Sequence, residues 1–201
     1  METSAARSPY LTPPTRTRDR APRSPQRRDS RRKDDGSMID VQPLTVRDRA
    51  WAVQVEAESW GEPAVVARQG KLVDPTRLPG FIAFLEGQRA GLVSYAIRGD
   101  ECEVVTIRSL REGRGVGRAL LDAVRDAAID AGCARLWLIT TNNNLRALEF
   151  YQRWGMDIVA FHRHAVSDAR RLLKPSIPQR DANGIAIAHE LELELRLDKA
   201  R

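Results

Sequence analysis

The chain has 201 residues, 42% of them hydrophobic, a formal net charge of +6 and two cysteines. That length and apolar content support one domain with a sizeable core and hardly two. No apolar run approaches the roughly 20 residues that cross a bilayer, and the first residues lack the apolar centre of a secretory signal. Cys102 and Cys133 have no disulfide-framework or metal-site spacing. A cytoplasmic protein with reduced cysteines, no metal and no membrane partner is therefore expected.

The positive charge sits at one end. Residues 1–37 hold nine Arg and one Lys against five acidic side chains, which is five of the six net charges. They are mostly Arg, Ser, Pro, Thr and Asp, so ordering them would cost chain entropy with no core in return. They are expected to form a disordered basic tail on a single domain of residues 38–201. Such a tail binds nucleic acid through phosphate neutralisation with little specificity, or serves as a solvated leader with no partner. Met38, at the boundary, is a second candidate for the start of the translated chain.

From Ile39 the pattern is globular. Residues 39–46 alternate as a first strand, and residues 47–59 place Ala50, Val53, Ala57 and Trp60 at helical spacing, with a second short helix expected over 64–71. Gly80 to Leu85 and Ala90 to Ile97 are apolar runs joined by Glu86-Gly87-Gln88, a hairpin signal. A turn at Arg98-Gly99-Asp100 leads to a third strand, Glu101 to Ser109. A helix over 115–131 carries Val116, Leu120, Val124, Ala127 and Ala131 on one face and ends at Gly132. Then come a buried strand, 134–140, a helix, 144–154, a strand, 158–165, and a last alternating segment, 185–197. The order β-α-α-β-β-β-α-β-α-β-β is that of a mixed α/β layer.

The segment Glu112-Gly113-Arg114-Gly115-Val116-Gly117 leaves a strand and opens a helix, so its free amides and the helix N-terminus make an anion site. Glycine lets backbone approach phosphate oxygens, and Arg114 and Arg118 add positive charge. A dinucleotide fingerprint fails because Arg118 or Leu120 falls where Gly or Ala is needed, and a P-loop fails because Arg118-Ala119 follows Gly117.

This loop, together with Asn144-Leu-Arg-Ala147-Leu-Glu-Phe150-Tyr151-Gln-Arg153-Trp-Gly155-Met156, resembles the two signatures of the Gcn5-related N-acetyltransferases (GNAT). Gly115 and Gly117 match the phosphate signature, and Glu112 departs at a position that acts through its main chain. The resemblance covers about residues 39–197 and implies a splayed central sheet flanked by helices. It also implies acetyl-CoA as co-substrate, its pantetheine arm held by the main chain of Val105, Thr106 and Ile107. The cofactor site would further take in Glu112, Gly113, Arg114, Gly115, Val116, Gly117, Arg118, Asn144, Ala147 and Tyr151.

The chemistry follows from proton bookkeeping. An amine of pKa near ~10 is protonated at neutral pH and must lose a proton to attack a thioester. The departing thiolate, of pKa near ~8.5, takes a proton from a nearby phenol, a role that fits Tyr151. The Ile107 main-chain NH is the candidate donor to the oxyanion. For the base, Glu101 and Glu103 alternate on one strand face; Glu101 matches the base of the histone-acetylating branch of the family that the chain resembles, and Glu103 lies nearer the expected acetyl group. Against these roles stand plainer ones: a solvated strand face for the two glutamates, a core aromatic for Tyr151, and an N-cap for Asn144.

His162 and His164 share a strand face with no third ligand at metal spacing. Residues 167–183, charged and Pro-containing, are expected beside the acceptor, either as a specificity element or as a surface loop with a charged helix. Glu190 is expected in an outer strand, where it could meet a cationic acceptor. The function expected is acetyl transfer from acetyl-CoA to a primary amine, most naturally of a small molecule, by direct attack in a ternary complex. The alternatives are acetylation of a peptide N-terminus or lysine, and a non-catalytic acyl-CoA-binding module with a nucleic-acid-binding tail. A homodimer is compatible with all three.

Overall fold

In the computed structural model of the chain, which describes residues 38–60, 65–67 and 71–197, the first strand, β1 (Ile39–Pro43), ends at a proline that has no amide to give. The expected basic tail lies outside the described residues. Thr45 gives both its amide and its hydroxyl to the Asp48 carboxylate, at 3.1 and 2.7 Å, and so fixes the entry to helix α1 (Arg49–Trp60). The inward face of α1 is Ala52, Val55 and Glu56, whereas Ala50 and Val53 of the expected face are exposed. A buried carboxylate in the middle of the inward face breaks the apolar rhythm, which is why the face was misplaced.

The second short helix expected over 64–71 is not formed. β2 (Val65–Ala67) and β3 (Lys71–Val73) pair antiparallel instead, with Val65 opposite Val73. Two β-branched residues in succession favour that outcome.

Strands β4 (Gly80–Leu85), β5 (Gln88–Arg98) and β6 (Glu101–Ser109) form the expected antiparallel meander. Glu86 and Gly87, with φ of 53° and 75°, make the two-residue turn between β4 and β5. Helix α2 (Val116–Asp130) follows, then β7 (Arg135–Thr141), α3 (Leu145–Trp154), β8 (Asp157–His162), α4 (Ala165–Leu172) and β9 (Glu190–Arg196). They complete a seven-stranded sheet in the order β1-β4-β5-β6-β7-β9-β8. Every neighbouring pair is antiparallel except β6 with β7.

Helix α2 lays Val116, Leu120, Leu121, Val124 and Ala128, all with no exposed surface, into the core over β4, β5 and β6. Each Val or Leu among them contributes about 1.5–3 kcal/mol relative to exposure. Ala128 takes the place expected of Ala127, and Ala131 is exposed.

Two boundaries differ near the C-terminus. The strand expected over 158–165 stops at His162, because His164 turns to a φ of 63° and Ala165 opens α4, which buries Val166 and Ala169 one turn apart. The last strand pairs regularly only from Glu190. The chain before it is held by the Asn142 side chain, which donates to the Ala186 carbonyl and accepts from the amides of Ala188 and His189.

Candidate active site

β6 and β7 run side by side only from Glu101–Val104 against Arg135–Leu138. In the pairing with β5, Ser94 faces Thr106 while Tyr95 faces Val104, so Val105 is an extra residue. A bulge of that kind bends its strand. Beyond it β6 leaves β7, and the gap opens into a cavity of about 640 Å³. Val105, Thr106 and Ile107 line one side of it; Ile139, Thr140, Asn144 and Tyr151 line the other. The segment after β8 contributes a third wall, including Val166, Lys174, Ile177 and Glu190.

The bulge is braced from behind. The Thr106 hydroxyl donates to Glu56 of α1 at 2.6 Å and lies 2.8 Å from the Ser94 hydroxyl. All three side chains are buried. Since the single Thr106 proton goes to the carboxylate, Ser94 is the donor in the second bond.

Tyr151 reaches the cavity from α3 and is 7% exposed. Burial pushes its phenol up to about 12, so the group stays protonated throughout the physiological range. Glu103, 8% exposed, lines the same cavity. Glu101, two residues earlier on the same strand, is not among the lining residues; its carboxylate accepts from Arg135 at 2.9 Å. Arg135 also reaches Glu194 at 2.8 Å and Glu192 at 3.2 Å.

Asn144 stands at the N-cap of α3 without capping it; its amide donates to the Thr140 hydroxyl at 3.2 Å, inside the cavity wall. Ala147 packs against the core. Gly113 and Gly115 have φ of 72° and 80°, and Gly115 precedes the first turn of α2. At Gly117 a Cβ would come within 3.2 Å of the Phe150 ring of α3, so the loop lies close under that helix. Glu112, Gly113, Arg114, Gly115, Val116, Gly117 and Arg118 all lie outside the cavity lining. The Glu112 carboxylate pairs with Arg146 of α3 at 2.8 Å, both side chains being exposed. Arg114 meets Glu86 at 3.3 Å.

The two histidines part company. His162 lies 3.1 Å from the Glu192 carboxylate, and the His164 amide donates to the His189 ring. Among the described residues no three metal-ligating side chains gather, and no helix is long and apolar enough to cross a membrane. Cys102 and Cys133 are buried free thiols. Glu56 is the site-supporting residue that sequence reasoning missed.

The model of the acetyltransferase (GNAT) family matches residues 45–156. The chain belongs to the GNAT acetyltransferase family. Within that family it is 41% identical to the uncharacterised protein YdhI of Bacillus subtilis strain 168 over 136 residues, 67% of this chain and 84% of the relative. The GNAT fold is shared with two solved structures. One is the putative acetyltransferase yncA of Salmonella typhimurium, solved with its cofactor acetyl-CoA: TM-score 0.58, 15% identity, 81% of this chain and 95% of that one. The other is the ribosomal-protein-S18-alanine N-acetyltransferase of Escherichia coli: TM-score 0.56, 19% identity, 82% and 97% coverage.

Proposed function

We propose that this GNAT protein transfers the acetyl group of acetyl-CoA to the primary amine of a small molecule, both substrates being bound together. The observation that carries the proposal is the opening between β6 and β7, which puts the main chain of Val105, Thr106 and Ile107, the Glu103 carboxylate and the Tyr151 phenol on one cavity. Such an opening suits a pantetheine arm laid along β6, because backbone groups past the last β6–β7 pair can bind it as they would bind a further strand. The glycine loop before α2 suits the pyrophosphate. The yncA structure, solved with acetyl-CoA, supports that assignment by fold.

Acetyl-CoA supplies the acyl group as a thioester; this chain's residues manage the protons. Glu103 takes a proton from the amine, directly or through water, as the N–C bond forms. Tyr151 hands a proton to the sulfur as the C–S bond breaks. Its raised pKa of about 12 keeps the phenol protonated until that transfer. The Ile107 amide is the candidate donor to the carbonyl oxygen. Most of the rate gain would come from positioning. A second acceptor class, a peptide N-terminus, is favoured by the likeness to an enzyme named for a ribosomal-protein alanine; the wall over the acceptor end argues for something smaller.

Thiol release from acetyl-CoA against a panel of small amines and basic peptides tests the proposal. Tyr151→Phe and Glu103→Gln are each expected to lower kcat by about 10²–10⁴-fold while the Kd for acetyl-CoA changes little. Acetyl-CoA binding without turnover of any amine would sink the catalytic reading and favour a binding module.

A further inference from the structure

The family match ends at Met156, and the wall of the cavity that faces away from α3 is made from chain beyond it. Val166, Ile177, Pro178 and Ile187 present apolar surface there, and Lys174 and Glu190 bring charge. This wall is preformed. The Arg170 guanidinium donates to the carbonyls of Ile177 at 2.8 Å, Pro178 at 2.7 Å and Ile187. Asn142 holds the following residues to the end of β7. Lys174 lies between two of these ties: its amide donates to the Ala169 carbonyl and its own carbonyl accepts from Ile177. Lys174 therefore lines the cavity from a fixed backbone, and the residue is 8% exposed.

Lysine is almost never buried this deeply unless its charge meets a matching one. An ammonium has three donors, so it can hold protein groups and a ligand oxygen at once. Glu103 and Glu190 line the same cavity. The cavity thus carries carboxylates, an ammonium and apolar side chains together.

We propose that Lys174 is the specificity-determining residue of the acceptor site and that the acceptor is an amino carboxylate: a small molecule carrying its reactive amine and a carboxylate on an apolar frame. The inference rests on the amine-transferase function proposed above. Apolar bulk packs against Ile177, Pro178 and Ile187, the carboxylate meets Lys174, and the amine is left facing Glu103.

The test uses the full chain with acetyl-CoA and two matched acceptor sets: phenylalanine, phenylalaninamide and phenethylamine, and aminohexanoate, its amide and hexylamine. The carboxylate member of at least one set is expected to exceed its amide by about ten- to a hundredfold in kcat/KM. Lys174→Met is expected to bring that ratio to about one through KM, Lys174→Arg to keep part of it, and thermal melting to report that both variants fold. Wild-type protein that acetylates amides and plain amines as well as the carboxylates would overturn the inference and leave the transferase function standing. So would Lys174→Met lowering all members equally. Bound acetyl-CoA with no member acetylated defeats the transferase function itself, and the inference with it.

Discussion

Thr106 holds the bulge of β6 to α1 through a 2.6 Å hydrogen bond to Glu56, a carboxylate with no exposed surface. Thr106→Val keeps the shape and removes the donor. It is expected to destabilise the fold by about 1–3 kcal/mol, seen as a lower urea midpoint at unchanged slope, whereas Thr106→Ser keeps most of the stability. An unchanged midpoint in the valine variant would mean that the hydroxyl holds nothing in place. At this scale the sequence was unevenly legible. Tyr151 and Asn144 stood out because one signature fixes their spacing along α3 and its N-cap. Glu56 did not, because a glutamate two residues from Gln54 and from Glu58 reads as a solvent-side residue, and its partner lies fifty positions away in the chain. What separates Glu101 from Glu103 needed β7 in place: Arg135 binds the first, and only the second is among the residues that line the cavity.

Arg170 does for one element what a covalent tie would do, collecting three carbonyls from the segment between α4 and β9. Arg170→Gln cannot reach all three. It is expected to raise KM for the acceptor, leave the Kd for acetyl-CoA nearly unchanged, and speed amide hydrogen exchange over residues 174–187. Unchanged exchange there would show that the wall stands without the guanidinium. The elements themselves were read best where a period runs long, as in α2, or where turn chemistry is strict, as at Glu86-Gly87. They were read worst where the run is short. Val65–Ala67 carries too few residues to separate a period of 2 from one of 3.6. Helix α4, which buries only Val166 and Ala169, answers to the charged helix weighed for residues 167–183 but starts two residues before them. The expectation that residues 167–183 border the cavity matches the placement of Lys174, Ser176, Ile177 and Pro178; that Arg170 fastens them could not be read from composition.

For the molecule as a whole, burial sets an alkaline limit. It raises the Tyr151 phenol from 10.0 to about 12. It also raises the Cys102 thiol from 9.0 to about 12, with the neighbouring charges of Cys133 and Glu103 adding to the effect. The native state therefore keeps protons that the unfolded chain releases. These contributions to stability are full below about pH 9 and are lost as pH climbs towards 12, each group adding up to about tenfold per pH unit to the unfolding constant within its window. Melting temperature is expected to fall between about pH 9 and 11, and Tyr151→Phe to flatten the portion above about pH 10. A profile level to pH 11 would contradict the burial of both groups.

The sheet order carries one more consequence. β9 lies between β7 and β8, both of which precede it in the chain. While the protein is being made, the ribosome delivers β8 with no neighbour to join and β7 with one flank bare, and both wait for a strand still to be translated. The seven strands cannot close in the order in which they emerge. Assembly is completed by inserting β9 between two earlier strands, so premature termination before Glu190 would leave β8 with no strand to pair with and β7 with one bare edge.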